Sequence, residues 1–253
     1  VEPQVSTVLE IQRLRTRGEI IMPKLKFDDI RFGRQRTDRN LDKVEQIFDM
    51  IDLQGETCLD IGFSYGVFTK IFLERIGEAG KVYAWEPNKF LFDHFAKKWS
   101  VFRNLTIYGY ALSDSEGSKP FYVYDDEGMN STMNSLVEDK TIYTNRQVDL
   151  QRVDTVQTKT LDQWWNQNRN PDVDFIKIDS EGHDLDILFG AKEMLGATKP
   201  DHIFIEQDGP EVIEFLEGMG YSKENDMNKI GLDDIIWKYD PTLKIQSKKG
   251  GIE

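Results

Sequence analysis

The sequence predicts an α/β protein built on a Rossmann-like, doubly wound and mostly parallel sheet of about seven strands. Three observations lead there. Short apolar runs alternate with segments of helical spacing along most of the chain, as a parallel sheet covered on both faces requires. The first run passes through a turn with two glycines, Gly62 and Gly66, straight into a helical pattern. The chain has 253 residues, 39% of them hydrophobic, enough for a full core, and it shows no internal repeat of the kind a solenoid needs.

In chain order, basic residues concentrate between Arg13 and Arg39, which reads as a solvated arm or as a site for an anionic substrate group. "NLDKVEQIFDMI" then places Leu41, Val44, Ile47, Phe48 and Ile51 at helical spacing, with Asn40 as the cap. "ETCLDIG" reads as a buried strand, "VFTKIFLERIG" as a helix ended by Gly77, and "KVYAWEP" as a strand stopped by Pro87. Helix "NKFLFDHFAKKW" and strands "LTIYGYAL" and "PFYVYDD" follow. Between Asp125 and Thr160 the stretch is polar, lacks a sustained period and is too long for an ordinary connection; it reads as a substrate-side insertion or as a disordered segment. "LDQWW" is a helix whose tryptophans cover the core. The alternation then resumes with strand "DFIKIDSEG", helix "DLDILFGAKEML", strand "HIFIEQ", helix "PEVIEFLEGMG" and strand "DIIWKY", all in one sheet. Residues 1–52 are thus an N-terminal arm and helix, and residues 53–253 the main domain, with the insertion around 125–160.

Composition excludes several classes. No run approaches the roughly 18 apolar residues of a membrane span, and the first residues lack the order of a signal peptide, so an intracellular, cytoplasmic chain is expected. One cysteine, Cys58, rules out an internal disulfide, and its place in an apolar strand makes it a buried, inert thiol. The formal charge of −13 repels a polyanion and disfavours a nucleic-acid partner.

In a doubly wound sheet, ligands bind beyond the carboxyl ends of the strands, where the first strand turns into its helix. That turn is Asp60-Ile61-Gly62-Phe63-Ser64-Tyr65-Gly66. It matches neither a Walker loop nor the Gly-x-Gly-x-x-Gly dinucleotide fingerprint. Asp60 would face a phosphate badly and a cation well, which suits S-adenosylmethionine, whose amino-acid end it can hold directly or through water. Glu86, twenty positions after Gly66 and followed by Pro87, is placed to accept hydrogen bonds from a ribose diol. Ala111 and Leu112 can offer a backbone amide and an apolar wall to an adenine ring.

The segments "CLDIGFSYGVFT", "KVYAWEPN", "ALSDSEG", "TLDQW", "DFIKIDSEGHDLDILFGAKEML" and "HIFIEQ" together resemble the FkbM-type class I S-adenosylmethionine-dependent methyltransferases, in the family's order, over roughly residues 56–207. The resemblance implies a class I methyltransferase fold, S-adenosylmethionine as cofactor and O-methylation of sugars or natural products. The family usually carries Ala-Asn after the first glycine of the turn; this chain has Phe63-Ser64, which leaves the contacts of those two side chains open.

Methyl transfer to a hydroxyl needs a group that takes its proton or a divalent metal that polarises it. Strand alternation places Lys177, Asp179 and Glu181 on one side of "DFIKIDSEGHD", opposite Ile176 and Ile178. Asp179 falls at the donor–acceptor boundary. Lys177 is either catalytic or a partner of Asp179 or Glu181. Glu181 acts in the site or sits in the first turn of the next helix, and His183 is a base or a helix-start residue. Asp179, Glu206 and Asp208, from two strand ends, can bind Mg²⁺ or another divalent cation, or serve substrate hydroxyls. The acceptor expected is a small molecule or glycan; RNA, protein, or a non-catalytic S-adenosylmethionine-binding role are the alternatives.

Overall fold

The computed structural model describes residues 38–99, 101–124, 134–138, 150–206, 209–224 and 235–243. The basic arm up to residue 37, most of the 125–149 stretch, and Asp208 lie outside them. Seven strands form the main sheet: β1 (Thr57–Ile61), β2 (Lys81–Trp85), β3 (Leu105–Tyr108), β7 (Phe175–Ile178), β8 (His202–Ile205), β9 (Tyr221–Lys223) and β10 (Ile235–Tyr239), in the order β3-β2-β1-β7-β8-β10-β9. The first five run parallel, while β10 pairs antiparallel with both β8 and β9. Helices α1 (Asp38–Asp49), α2 (Val67–Ile76), α3 (Lys89–Trp99), α4 (Leu161–Gln167), α5 (Asp184–Phe189), α6 (Lys192–Thr198) and α7 (Pro210–Gly218) connect and cover the strands.

Alternation in the central strands gives the sheet two chemically different faces. On one, Phe48 of α1 packs 5.4 Å from Phe72 of α2 and 5.3 Å from Phe175 of β7, ring centre to ring centre. Burying each such ring contributes about 1.5–3 kcal/mol. The helical spacing of Val44, Ile47, Phe48 and Ile51 puts all four in this interior, although α1 begins two residues before Asn40. On the other face Leu59, Ile61, Ile176 and Ile178 join Trp85 and Trp164 in one hydrophobic core cluster. Trp164 and Trp165 are buried there, because Thr160 and Gln163 close a reciprocal capping box that fixes the start of α4.

Three departures from the sequence expectation bear on the site. "LTIYGYAL" is not one strand: after Tyr108 the chain leaves the main sheet, and Ala111–Leu112 become β4 of a second sheet, ordered β4-β6-β5, with β5 at Gly117–Val123 and β6 at Arg152–Lys159. β6 lies inside the stretch expected to be irregular; its pairing partners are 29 or more residues away in sequence, so no local pattern announces it. "DLDILFGAKEML" is two helices, because a Cβ at Gly190 would stand 2.1 Å from the Ser113 carbonyl oxygen and the chain bends there to make that approach.

Candidate active site

Strand β1 ends at Ile61 and the chain turns sharply. Gly62 takes φ 84°, and a Cβ there would lie 1.9 Å from the Asp179 carbonyl oxygen, so only glycine lets the ends of β1 and β7 meet. The amides of Gly62 and Phe63 both donate to the Trp85 carbonyl, at 3.2 and 2.8 Å, tying the turn to the end of β2. Phe63 points inward, only 2% exposed, its ring edge-on to Trp99 at 5.8 Å. Phe63 therefore fills the space under the turn, and what it can offer a ligand is backbone.

Beneath the turn sits a buried ionic group. The β1–β7 register sets Asp60 beside Lys177 on the same face. Asp60 is fully buried; its Oδ2 accepts a 2.6 Å hydrogen bond from Thr69 Oγ1, and its Oδ1 is 3.3 Å from Lys177 Nζ. Lys177 in turn donates to the carbonyls of Gly62 (2.7 Å) and Ile61 (3.2 Å) and lies 3.5 Å from Asp179 Oδ2. Burial raises the Asp60 carboxyl above its usual range, against the pull of Lys177 and Thr69. Asp60 was expected to meet the ligand's amino-acid end; instead it is a support under the turn, with no surface to offer. Lys177 is likewise directed at the turn carbonyls and two carboxylates rather than into open space.

Glu86, at the end of β2, is buried against the turn. Its Oε2 accepts from the Ser64 amide at 2.7 Å and its Oε1 from the Asn88 amide at 2.8 Å. Burial pushes its carboxyl up to about 7 despite those two donors. Each oxygen keeps a further lone pair, the capacity a diol requires. Pro87 leads into Asn88, whose Oδ1 caps α3 by accepting from the Phe90 amide at 2.9 Å; an Asn just before a helical run is a cap signal that sequence reasoning could have used. Tyr65 is half-buried in the turn. Ala111 and Leu112, expected beside an adenine, are buried in β4, paired with Thr158 and Lys159, and Leu112 belongs to the main core.

At the ends of β7 and β8 three carboxylates converge. Asp179, Glu181 and Glu206 each bring one oxygen within 4.8 Å of the others. The chain reverses here through Glu181 (φ 53°) and Gly182, and Ser135 Oγ holds the reversal by donating to the Glu181 carbonyl at 2.8 Å. Of the expected cation ligands, Asp179 and Glu206 are brought together, with Glu181 as third member. Glu206 Oε2 is buried without a hydrogen-bond partner among the described residues, and burial, with Asp179 and Glu181 beside it, raises this carboxyl to about 9. Glu181 is not in the first turn of α5, a place taken by Asp184 and Asp186.

His183 occupies the N-cap position of α5 and is 5% exposed. Its Nε2 is 3.0 Å from Ser113 Oγ and its Nδ1 3.1 Å from Asp186 Oδ2, and burial lowers its pKa. With both ring nitrogens engaged inside the protein, the geometry favours the helix-start role over that of a base.

A family model described as the methyltransferase FkbM domain matches residues 60–223, more than half of the chain. The chain belongs to the FkbM methyltransferase family. Among named relatives, 2-O-methyltransferase NoeI of Sinorhizobium fredii (strain NBRC 101917 / NGR234) is 23% identical over 210 residues, covering 81% of this chain and 85% of NoeI. Among solved structures, the methyltransferase FkbM of Methylobacillus flagellatus KT superposes with a TM-score of 0.49 at 14% identity over 76% of this chain, which spans only 45% of that protein. The precorrin-6y C5,15-methyltransferase of Geobacter metallireducens GS-15 gives 0.43 at 16% identity, with 78% of each chain covered. The chain is a methyltransferase by its family, and the family implies S-adenosylmethionine as cofactor. The residues around the turn fit that cofactor: a glycine-tight backbone at the end of β1, and beside it the Glu86 carboxylate with lone pairs to spare. Among the described residues no helix is long and apolar enough to cross a membrane.

Proposed function

We propose that this methyltransferase moves the methyl group of S-adenosylmethionine to a hydroxyl of a sugar, glycan or glycosylated small molecule. The observation that carries the reading is the meeting of Asp179, Glu181 and Glu206 beside the cofactor turn. A hydroxyl is a weak nucleophile until its proton is shared or removed, and these carboxylates stand just beyond the ends of β7 and β8, on the side of the sheet where donor and acceptor must meet. The printed name of the NoeI relative, a 2-O-methyltransferase, supports an oxygen acceptor.

In this reading the Glu86 carboxylate takes the ribose diol and the Gly62–Gly66 backbone the rest of the cofactor. The acceptor oxygen forms a bond to the methyl carbon as the carbon–sulfur bond breaks, and the hydroxyl proton passes to Asp179, whose side chain is 30% exposed. Glu206, holding a proton below about pH 9, stands beside Asp179 and can donate that proton to it as a hydrogen bond. The same three carboxylates are a hard, all-oxygen donor set, so Asp179, Glu181 and Glu206 would hold Mg²⁺ or a similar ion; bound there, it would acidify a hydroxyl. The net charge of −13 argues against an RNA acceptor.

Incubation with methyl-labelled S-adenosylmethionine and saccharide acceptors tests the proposal. Label in the saccharide fraction, lost in Asp179→Asn, is expected; label appearing only in protein or RNA acceptors would overturn it.

A further inference from the structure

In the chain that follows β7 and β8 the surface opens into a cleft of about 230 Å³. One wall comes from the β7–α5 loop, through Gly182, Asp184 and Leu185; the other is the start of α7, through Gly209, Pro210 and Val212. Gly182 directly follows Glu181, and Gly209 stands three residues beyond Glu206, so the cleft is walled by the chain that leaves the two strand ends carrying the carboxylate cluster. Clefts that take drug-sized ligands run to roughly 300–1,000 Å³, so this one has room for a single ring-sized unit.

Gly209 is the informative residue. It is the N-cap of α7 at φ −60°, ψ 166°, a conformation open to every residue, and it makes no side-chain cap. No atom of the described residues lies within 4 Å of where its Cβ would stand. Among the described residues, therefore, no packing contact requires a glycine here. Serine, aspartate or asparagine would cap α7 and hold its first turn slightly better than glycine does. What the glycine preserves is the room in the cleft. The walls are mixed in the way a sugar ring is mixed: Leu185, Pro210 and Val212 offer apolar surface to C–H faces, while the exposed Glu211 carboxylate offers an acceptor to hydroxyl groups; the Asp184 carboxylate is buried and held by Ser180.

We propose that this cleft is the acceptor subsite, that it seats one pyranose ring of the substrate, and that Gly209 sets the size of the ring it admits. The proposal rests on the saccharide reading given above and narrows it to where the sugar lies.

The test uses three forms of the chain, wild type, Gly209→Ser and Gly209→Leu, each saturated with S-adenosylhomocysteine. Saturation-transfer NMR with a panel of methyl hexopyranosides reports ring binding, and calorimetry reports S-adenosylhomocysteine affinity. Serine caps the helix and leaves most of the room; leucine fills it without backbone strain. The expected result is contact with at least one glycoside in wild type and Gly209→Ser, a loss of about tenfold or more in Gly209→Leu, and the same S-adenosylhomocysteine affinity in all three. Undiminished glycoside contact in Gly209→Leu, or none in wild type, overturns the subsite. Labelled methyl transfer measured alongside keeps the two claims apart: saccharide methylation that Gly209→Leu does not impair leaves the proposed function standing and removes the cleft, whereas failure to methylate any saccharide removes the function.

Discussion

Glu86→Gln should abolish the pH dependence of cofactor binding. In the ligand-free fold the Glu86 carboxyl sits at about 7, burial outweighing the amides of Ser64 and Asn88 that favour its ionised form. A ribose diol donates hydrogen bonds and selects the carboxylate, so apparent affinity scales with the ionised fraction. That fraction is roughly a tenth at pH 6 and nine tenths at pH 8, which makes binding about tenfold weaker at the lower pH, or ~1.4 kcal/mol. Calorimetric titration with S-adenosylhomocysteine across that range, in two buffers of different ionisation enthalpy, reads both the affinity and the proton released. Glutamine should bind more weakly at pH 8, by roughly one to two powers of ten, because charge-assisted hydrogen bonds are lost, and its affinity should be flat with pH. A flat wild-type profile, or an unchanged slope in Glu86→Gln, would refute the reasoning. The same shift has a stability consequence. A carboxyl raised from 4.5 in the unfolded chain to about 7 in the fold contributes stability that is present below 4.5 and lost as pH rises through 7.

Glu206, raised to about 9, extends that loss upward: the unfolding midpoint of the cofactor-free protein should fall between pH 7 and pH 9, and Glu206→Gln should flatten the fall, as thermal scans at several pH values will show. Lys177→Met leaves the Asp60 charge buried and unpaired and should cost about 3–5 kcal/mol in denaturant unfolding, most of it recovered in the double variant Asp60→Asn/Lys177→Met. His183→Ala removes a buried contact to Ser113 and a half-exposed one to Asp186 and should cost about 1–3 kcal/mol of stability while leaving the pH profile of kcat unchanged in shape; a lost ionisation in that profile would restore His183 as a base.

What the sequence made legible was what neighbouring residues encode. The run from Cys58 through Gly66, Glu86 at the end of β2, and Asp179 at the end of β7 all follow from local strand and turn patterns, and the structure puts each at a carboxyl end of the sheet. What it hid depended on distant partners. Alternation placed Lys177 and Asp179 on one side of β7 but could not show that Asp60, 117 residues earlier, would draw the ammonium under the turn. Ser113, which meets His183 Nε2, is 70 residues away in sequence. Glu181 joins the carboxylates only because the chain reverses through a positive φ at a residue that is not glycine, a conformation no propensity predicts. The capping box of Thr160 and Gln163 and the Asn88 cap were readable and would have fixed two helix starts.

The most direct test of the account is to identify the product of a reaction with methyl-labelled S-adenosylmethionine and a mixture of glycans, by mass spectrometry of the saccharide fraction. The account predicts a single added methyl on a sugar oxygen, formed in step with S-adenosylhomocysteine. S-adenosylhomocysteine produced with the label on a protein side chain or nucleotide would contradict it.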